Sequence, residues 1–202
     1  MTGENLIDRL GERVEDTSEA SYSATYKANI LNIAQDVLVN LIDRRFLPTL
    51  SGNVTGQTEP FECTASALSG YTGRPSDIYE IKVASGKICE IIDVKEKRIL
   101  DNFYTQGTTE NPIAYVDRNH IFVSPASVTT IDVFFYKKPT AIAHNSTVFP
   151  FNGLEDILLY LSESEIWKQD NKINRANLAY QRAVDQINLL NSRVEVDSGT
   201  DI

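Results

Sequence analysis

An α+β protein is predicted: a helical bundle interrupted by a small antiparallel β module and followed by an extended C-terminal tail. Three observations predict it. Residues 21–46 place apolar side chains at helical spacing, residues 76–137 alternate with a period of two, and residues 154–190 return to helical spacing. A chain of 202 residues with 42% hydrophobic composition suits one ordinary domain, or one domain with a smaller one inserted.

Residues 1–20 are an acidic segment, in which Glu4, Asp8, Glu12, Glu15, Asp16 and Glu19 stand against Arg9 and Arg13. Leu6, Leu10 and Val14 recur every four residues, which predicts a short amphipathic helix. The run Asp16-Thr17-Ser18-Glu19 supplies N-cap candidates for the next one. Along residues 21–46, Tyr22, Tyr26, Ile30, Ile33, Val37 and Leu41 form one apolar stripe, and this long helix should stop before Pro48. Residues 51–56 and 69–75 have the Gly, Ser, Asn and Pro content of loops.

In the β region, Tyr79, Ile81 and Val83 share one face of a strand, and Ser85-Gly86 turns the chain into another over residues 88–94. A second hairpin runs from Ala114-Tyr115-Val116 across Asp117-Arg118-Asn119 to His120-Ile121-Phe122-Val123. Residues 130–136, rich in β-branched and aromatic types, make a last strand that ends near Pro139. About five short strands result. Leu154, Ile157, Leu158, Leu161, Ile166 and Trp167 then mark a helix, broken at Gln169-Asp170-Asn171. Ile173, Ala176, Tyr180, Ala183, Ile187 and Leu190 form the narrow seam of the next. The expected organisation is a bundle of residues 21–50 and 150–190, loops and β module over 51–149, and an extended or disordered tail over 191–202. The simplest assembly packs the long helix against both C-terminal helices.

Composition excludes several functions. Nineteen Lys and Arg against 28 Asp and Glu give a net charge of −9, the opposite of a nucleic-acid footprint. No apolar run approaches the ~20 residues of a membrane span, and Met1-Thr2-Gly3-Glu4-Asn5 has neither the basic nor the apolar region of a signal peptide. An intracellularly made, soluble protein is the expectation. Cys63 and Cys89 form no C-x-x-C pair and are expected to remain thiols, free or buried. With only His120 and His144 as histidines, a zinc site would have to gather ligands from four scattered places. Phosphate-binding glycine loops, the nucleophile elbow and the H-E-x-x-H helix are all missing. Glu155-Asp156 belongs in a first helical turn, where the dipole favours negative charge, and Glu163 and Glu165 read as a solvated face. The sequons at Asn53 and Asn145 read as chance matches in loops. No enzymatic activity, cofactor or metal is predicted.

What remains points to contacts with other proteins. Nine tyrosines accompany a single Trp, and Tyr71, Tyr79, Tyr104, Tyr115 and Tyr136 all fall in or beside the β module. Five exceed what a small sheet can bury, so Tyr71, Tyr104 and Tyr115 are candidate contact residues. Arg44-Arg45 has two readings, complementing the C-terminal dipole of the long helix or touching an acidic partner surface.

The run from Asn111-Pro112-Ile113-Ala114-Tyr115-Val116 through His120-Ile121-Phe122-Val123-Ser124-Pro125 is followed by Ile131-Asp132-Val133-Phe134-Phe135-Tyr136-Lys137-Lys138-Pro139. A Phe149-Pro150-Phe151 entry into the helix and Asn177-Leu178-Ala179-Tyr180-Gln181 in the last helix complete the succession. Over about residues 20–190 it resembles the head-to-tail connector proteins (adaptor or neck proteins) of tailed bacteriophages, and is similar to the tail tubular A-type adaptors of short-tailed phages. The resemblance implies a structural virion protein at the neck, assembled in the bacterial host cytoplasm. It implies a homo-oligomeric ring, commonly a dodecamer, beneath the portal protein, through which DNA passes without sequence-specific binding and on which a downstream tail or nozzle protein lands. In such adaptors the C-terminal tail reaches along the portal, which makes Arg193, Val194 and Val196 candidate contacts. Another tail component, such as a tail terminator ring, is the alternative, and a small ligand-binding domain a more distant one.

Overall fold

A computed structural model describes residues 1–101, 105–143 and 149–198. The chain divides into a helical unit, Met1–Thr49 with Pro139–Ile202, and a β unit, Leu50–Lys138. The α+β class is as expected. The boundary falls at 138/139 rather than 149, because the segment after Pro139 packs on helices: the Asn32 side chain accepts the Ile142 N–H (2.7 Å) and donates to its carbonyl (3.0 Å).

In the helical unit, α1 (Gly3–Arg13), α2 (Ala24–Leu41) and α4 (Ile173–Ser198) all pack against α3 (Glu155–Gln169). Helix α3 is apolar on nearly every side, and Ile157, Leu158, Leu159, Leu161, Ile166 and Trp167 are buried. Such a helix must be central. Its acidic first turn is bound from outside, as Arg9 and Arg13 both reach Asp156 at 2.8 and 2.9 Å. The α3–α4 turn falls where the polar break predicts, with Asn171 in the left-handed region (φ 57°).

Helix α1 is amphipathic as its spacing predicts, burying Leu6, Ile7 and Leu10. The next helix is capped by Ser23, whose side chain accepts the Tyr26 N–H, and not from within residues 16–19. Asp16 has another task. It accepts the N–H groups of Ser21 and Tyr22 (3.1 and 2.9 Å) and faces Lys27, whose ammonium donates to its backbone carbonyl at 2.8 Å. Lys27 is only 2% exposed. Room for its amine exists because residue 11 is glycine: a Cβ there would stand 2.9 Å from Nζ.

Two corrections concern helix faces. Helix α2 buries Ala28, Ile30, Leu31, Ala34, Leu38 and Val39, so of the predicted stripe only Ile30 is fully inside, while Ile33 and Leu41 are exposed. Apolar residues cover more than half of this helix, and two overlapping stripes satisfy helical spacing. It also ends at Leu41, well short of Pro48. On α4 the buried seam is Ala176, Ala179, Ala183 and Ile187, with Ile173 and Tyr180 exposed. Small residues allow the close approach of α4 to α3.

The expected extended tail is also corrected. Helix α4 continues through Ser198, so residues 191–198 are helical, and 199–202 lie outside the described residues. No glycine or proline interrupts the chain before Gly199. The Asn191 side chain fastens this end to α2, donating to the Leu41 carbonyl (3.1 Å) and accepting the Asp43 N–H (2.9 Å).

The β unit contains β1 (Ser51–Thr58), β2 (Ile78–Val83), β3 (Glu90–Ile91), β4 (Ile113–Asp117), β5 (His120–Ser124) and β6 (Thr130–Tyr136). They form two three-stranded sheets, ordered β1-β6-β2 and β3-β4-β5. The β4–β5 hairpin is the predicted one, with Asp117 opposite His120 and Arg118 at φ 56°. Two features differ from expectation. Residues 51–58, read in part as loop, are an edge strand with a register shift between Val54 and Gln57, closed by Gly56 donating to the Asp132 carboxylate at 2.7 Å. An edge strand exposed on one side has no need of apolar alternation. Strand β3 also leaves its hairpin with β2 after the Lys82–Ile88 bridge and pairs parallel to β4, so the module is not wholly antiparallel.

Both sheets turn side chains into one core, which includes Phe61, Leu68, Ile81, Ala114, Ile121, Ile131, Val133 and Phe135. Cys63 and Cys89 lie in it as free thiols. Burial pushes both thiol pKa values up, that of Cys89 to about 11. We expect neither to react with a thiol reagent at pH 8 in the folded protein and both to react in denaturant, as read by Ellman titration. Where the chain enters and leaves this unit, Lys137 donates its N–H to the Leu50 carbonyl at 2.7 Å.

Candidate functional site

The candidate site is a set of surfaces rather than a cleft. Among the described residues, no group of three or more His, Cys, Asp or Glu side chains is placed to hold a metal ion, and no helix is long and apolar enough to cross a membrane.

In the β unit, the face of each sheet turned away from the core carries aromatic rings. On the first, the Tyr79 ring lies 4.7 Å from that of Tyr136 and 6.4 Å from that of Phe134. The Tyr79 hydroxyl meets the Ser51 hydroxyl at 2.7 Å, and the Lys82 ammonium sits 4.7 Å over the Phe134 ring. On the second, Tyr115 stacks on the exposed Phe122 at 4.9 Å. Beside β5 runs a groove of about 500 Å3 lined by Pro60, Phe61, His120, Phe122 and Val123. Strand pleating explains both faces: alternate residues of β2, β4 and β6 fill the core, and the intervening ones are these aromatics.

The predicted contact residues separate accordingly. Tyr115 is half-buried on the outer face of its sheet. Tyr71 is not on a surface. It is 6% exposed, its ring edge-on to Phe135 at 5.7 Å, and burial raises its phenol well above the ordinary value. Its place in a loop between strands hid its membership of the core of the β unit. Tyr104 lies outside the described residues.

Arg44 and Arg45 do not end the long helix but form a separate 3-10 turn, Arg44–Phe46, capped by Asp43. The Arg45 guanidinium binds that same carboxylate at 3.0 and 3.1 Å and holds it below the usual carboxylate range. Arg193 is exposed on α4, and Val194 and Val196 continue the same helix.

The helical unit shows more open apolar surface than spacing alone indicates. Ile33 is 49% exposed on α2, while Leu178 and Leu189 are each 56% exposed on α4. By contrast, Tyr22 and Tyr26, at the other end of the predicted α2 stripe, stack on each other at 5.5 Å and bond Asp170 and Gln169 through their hydroxyls. Burial, and secondarily the Asp170 carboxylate, raise the Tyr22 phenol far above its ordinary value. These tyrosines fasten α2 to the α3–α4 turn. The signal for the exposed leucines and isoleucine was the second stripe on α2 and the off-seam leucines of α4.

Comparison with known families gives a match: the family model described as SU10 adaptor protein matches residues 1–201. The chain belongs to the SU10 adaptor protein family. That is a phage head–tail adaptor family, and membership makes this chain a structural phage adaptor and a component of the virion, associating with other head or tail proteins. A comparison with curated proteins gave no match. Tyrosine and other aromatics concentrate at the centres of protein interfaces, and the outer sheet faces of this adaptor carry such rings.

Proposed function

We propose that this adaptor assembles as a ring, of twelve copies, beneath the portal protein, continues the DNA channel and offers the landing surface for the next tail component. The family match over residues 1–201 carries this reading. The charge supports it: Glu4, Asp8 and Glu12 form an exposed acidic row on α1, and like-charge repulsion lets DNA slide past without sticking. The C-terminal end of α4 and the residues beyond it are the segment that reaches the portal, and Arg193, Val194 and Val196 make contacts there. Tyr115, with Phe122, faces a neighbour or the downstream protein. The adaptor does no chemistry of its own.

Mass photometry of the chain, alone and mixed with the portal ring of the same phage, tests the proposal. The expected result is saturation at about twelve copies per portal. Truncation after Arg193 keeps the Asn191 bonds to α2 and is expected to abolish portal binding. Binding that survives the truncation would move the docking site to the helical unit or the β unit. No binding by the intact chain would overturn the portal reading.

A further inference from the structure

We infer that Asn152 is a site of spontaneous covalent modification, at which the side chain closes on the Gly153 amide, loses ammonia and becomes aspartate or isoaspartate. The site lies at the entrance to α3, within the helical unit, and does not depend on how copies assemble.

Asn152 is the one asparagine in the sequence that is followed by glycine. The reaction requires the Gly153 nitrogen to reach the side-chain carbon of Asn152. A following residue without a Cβ leaves that approach unhindered. The local structure leaves it open as well. Asn152 and Gly153 are both exposed, between the buried Phe151 and Leu154. Gly153 has φ 83°, and a Cβ added there would meet no atom within 4 Å. Among the described residues, neither the Asn152 side chain nor the Gly153 N–H has a hydrogen-bond partner. The turn is closed by the Leu154 N–H, which donates to the Phe151 carbonyl at 3.2 Å. That is the long end of the range for such bonds. Turning the Asn152–Gly153 peptide toward the side chain therefore breaks little.

The atoms balance without any reagent beyond water. Hydroxide takes the proton of the Gly153 N–H, and the nitrogen bonds to Asn152 Cγ. The Cγ–Nδ2 bond breaks, and the side-chain nitrogen leaves as ammonia from a cyclic succinimide. Water then opens the ring at one of its two carbonyls. Opening at Cγ gives aspartate, whose charge stands just ahead of the first turn of α3, where the dipole tolerates it. Opening at the backbone carbonyl gives isoaspartate, which adds a methylene to the main chain between Phe151 and Leu154. Asn191 is the internal contrast. It precedes the small Ser192, but it lies within α4, and its side chain donates to the Leu41 carbonyl and accepts the Asp43 N–H.

The test ages the intact folded chain at mildly alkaline pH, beside a sample in urea, and follows each asparagine by peptide mass spectrometry. Asn152 in the folded chain is expected to convert within about tenfold of its rate in urea, since one long hydrogen bond has to open. Asn191 is expected to convert at least about tenfold more slowly than Asn152, since its two bonds and the helix must open first. Ion exchange should show acidic species accumulating in the parent and not in Asn152→Gln. A folded chain that keeps the Asn152 amide while the urea sample loses it would overturn the inference. So would equal rates at Asn152 and Asn191, or an aged Asn152→Gln chain with the same acidic species as the parent.

Discussion

Replacing Lys27 with methionine is expected to lower the melting temperature of the helical unit by roughly 10 °C. Methionine keeps the apolar stem of lysine as far as Cε and lacks the ammonium nitrogen beside Gly11, so the loss reports chiefly the charge. What disappears is the ammonium that donates to the Asp16 carbonyl at 2.8 Å and stands 3.5 Å from its carboxylate. Asp16, itself only 6% exposed, would keep its bonds to the Ser21 and Tyr22 N–H groups but lose its counter-ion. Removing one member of a buried pair is far more damaging than replacing both, because the survivor is left charged and unpaired. Asp16→Asn combined with Lys27→Met should therefore recover most of the lost stability in circular dichroism melts. A single variant that melts with the parent would show that the pair contributes nothing.

The same residue sets an acid limit. Burial pulls the Asp16 carboxyl pKa up, but the two N–H groups and Lys27 outweigh it and hold the value below the ordinary 3.8. A carboxylate depressed on folding stabilises the fold fully above its unfolded pKa, and that contribution vanishes as pH falls through the folded value. The parent should keep this contribution down to about pH 4 and lose it below that. In Lys27→Met this contribution should be smaller and its loss complete at a higher pH, since one of the groups that depresses the pKa is gone. Melts between pH 2 and 7 read the difference.

The second large effect belongs to the β unit. Phe135→Ala should destabilise it by about 3–5 kcal/mol in denaturant titrations, by loss of burial and by the cavity left behind. Phe135 is 1% exposed and packs edge-on against Tyr71. Tyr71→Phe provides the contrast. The buried Tyr71 hydroxyl has no hydrogen-bond partner among the described residues, so removing it should leave stability unchanged or slightly raised. Assembly should be unaffected. A Tyr71→Phe chain that folds but fails to assemble would return this residue to the contact surface.

Much of the architecture is legible in the residues themselves. The β4–β5 hairpin, the α3–α4 turn and the existence of α2 follow from alternation, a polar break and helical spacing. Strand β1 was not legible because an edge strand with one exposed side can be as polar as Ser51-Gly52-Asn53-Val54-Thr55-Gly56. The inner face of α2 was not legible because apolar residues surround most of it, and only the neighbours α1 and α3 decide which stripe is used. The last turns of α4 carry no apolar periodicity, yet they are helical for want of a residue that breaks them. Among candidate contacts, Tyr115 lies where its alternation implies. Tyr71, in a loop, had no period from which its burial could be read.

The hydrogen bond from Lys137 to Leu50 joins the two places where the chain passes between its units. A segment whose ends leave their host side by side is a cassette. Residues 50–138 could be exchanged for another module with closely spaced ends without lengthening either connection, and the helices on both sides would keep the same sequence distance to bridge. Variation between adaptors of this kind therefore has a route by wholesale substitution, in which one unit is renewed while the other is retained.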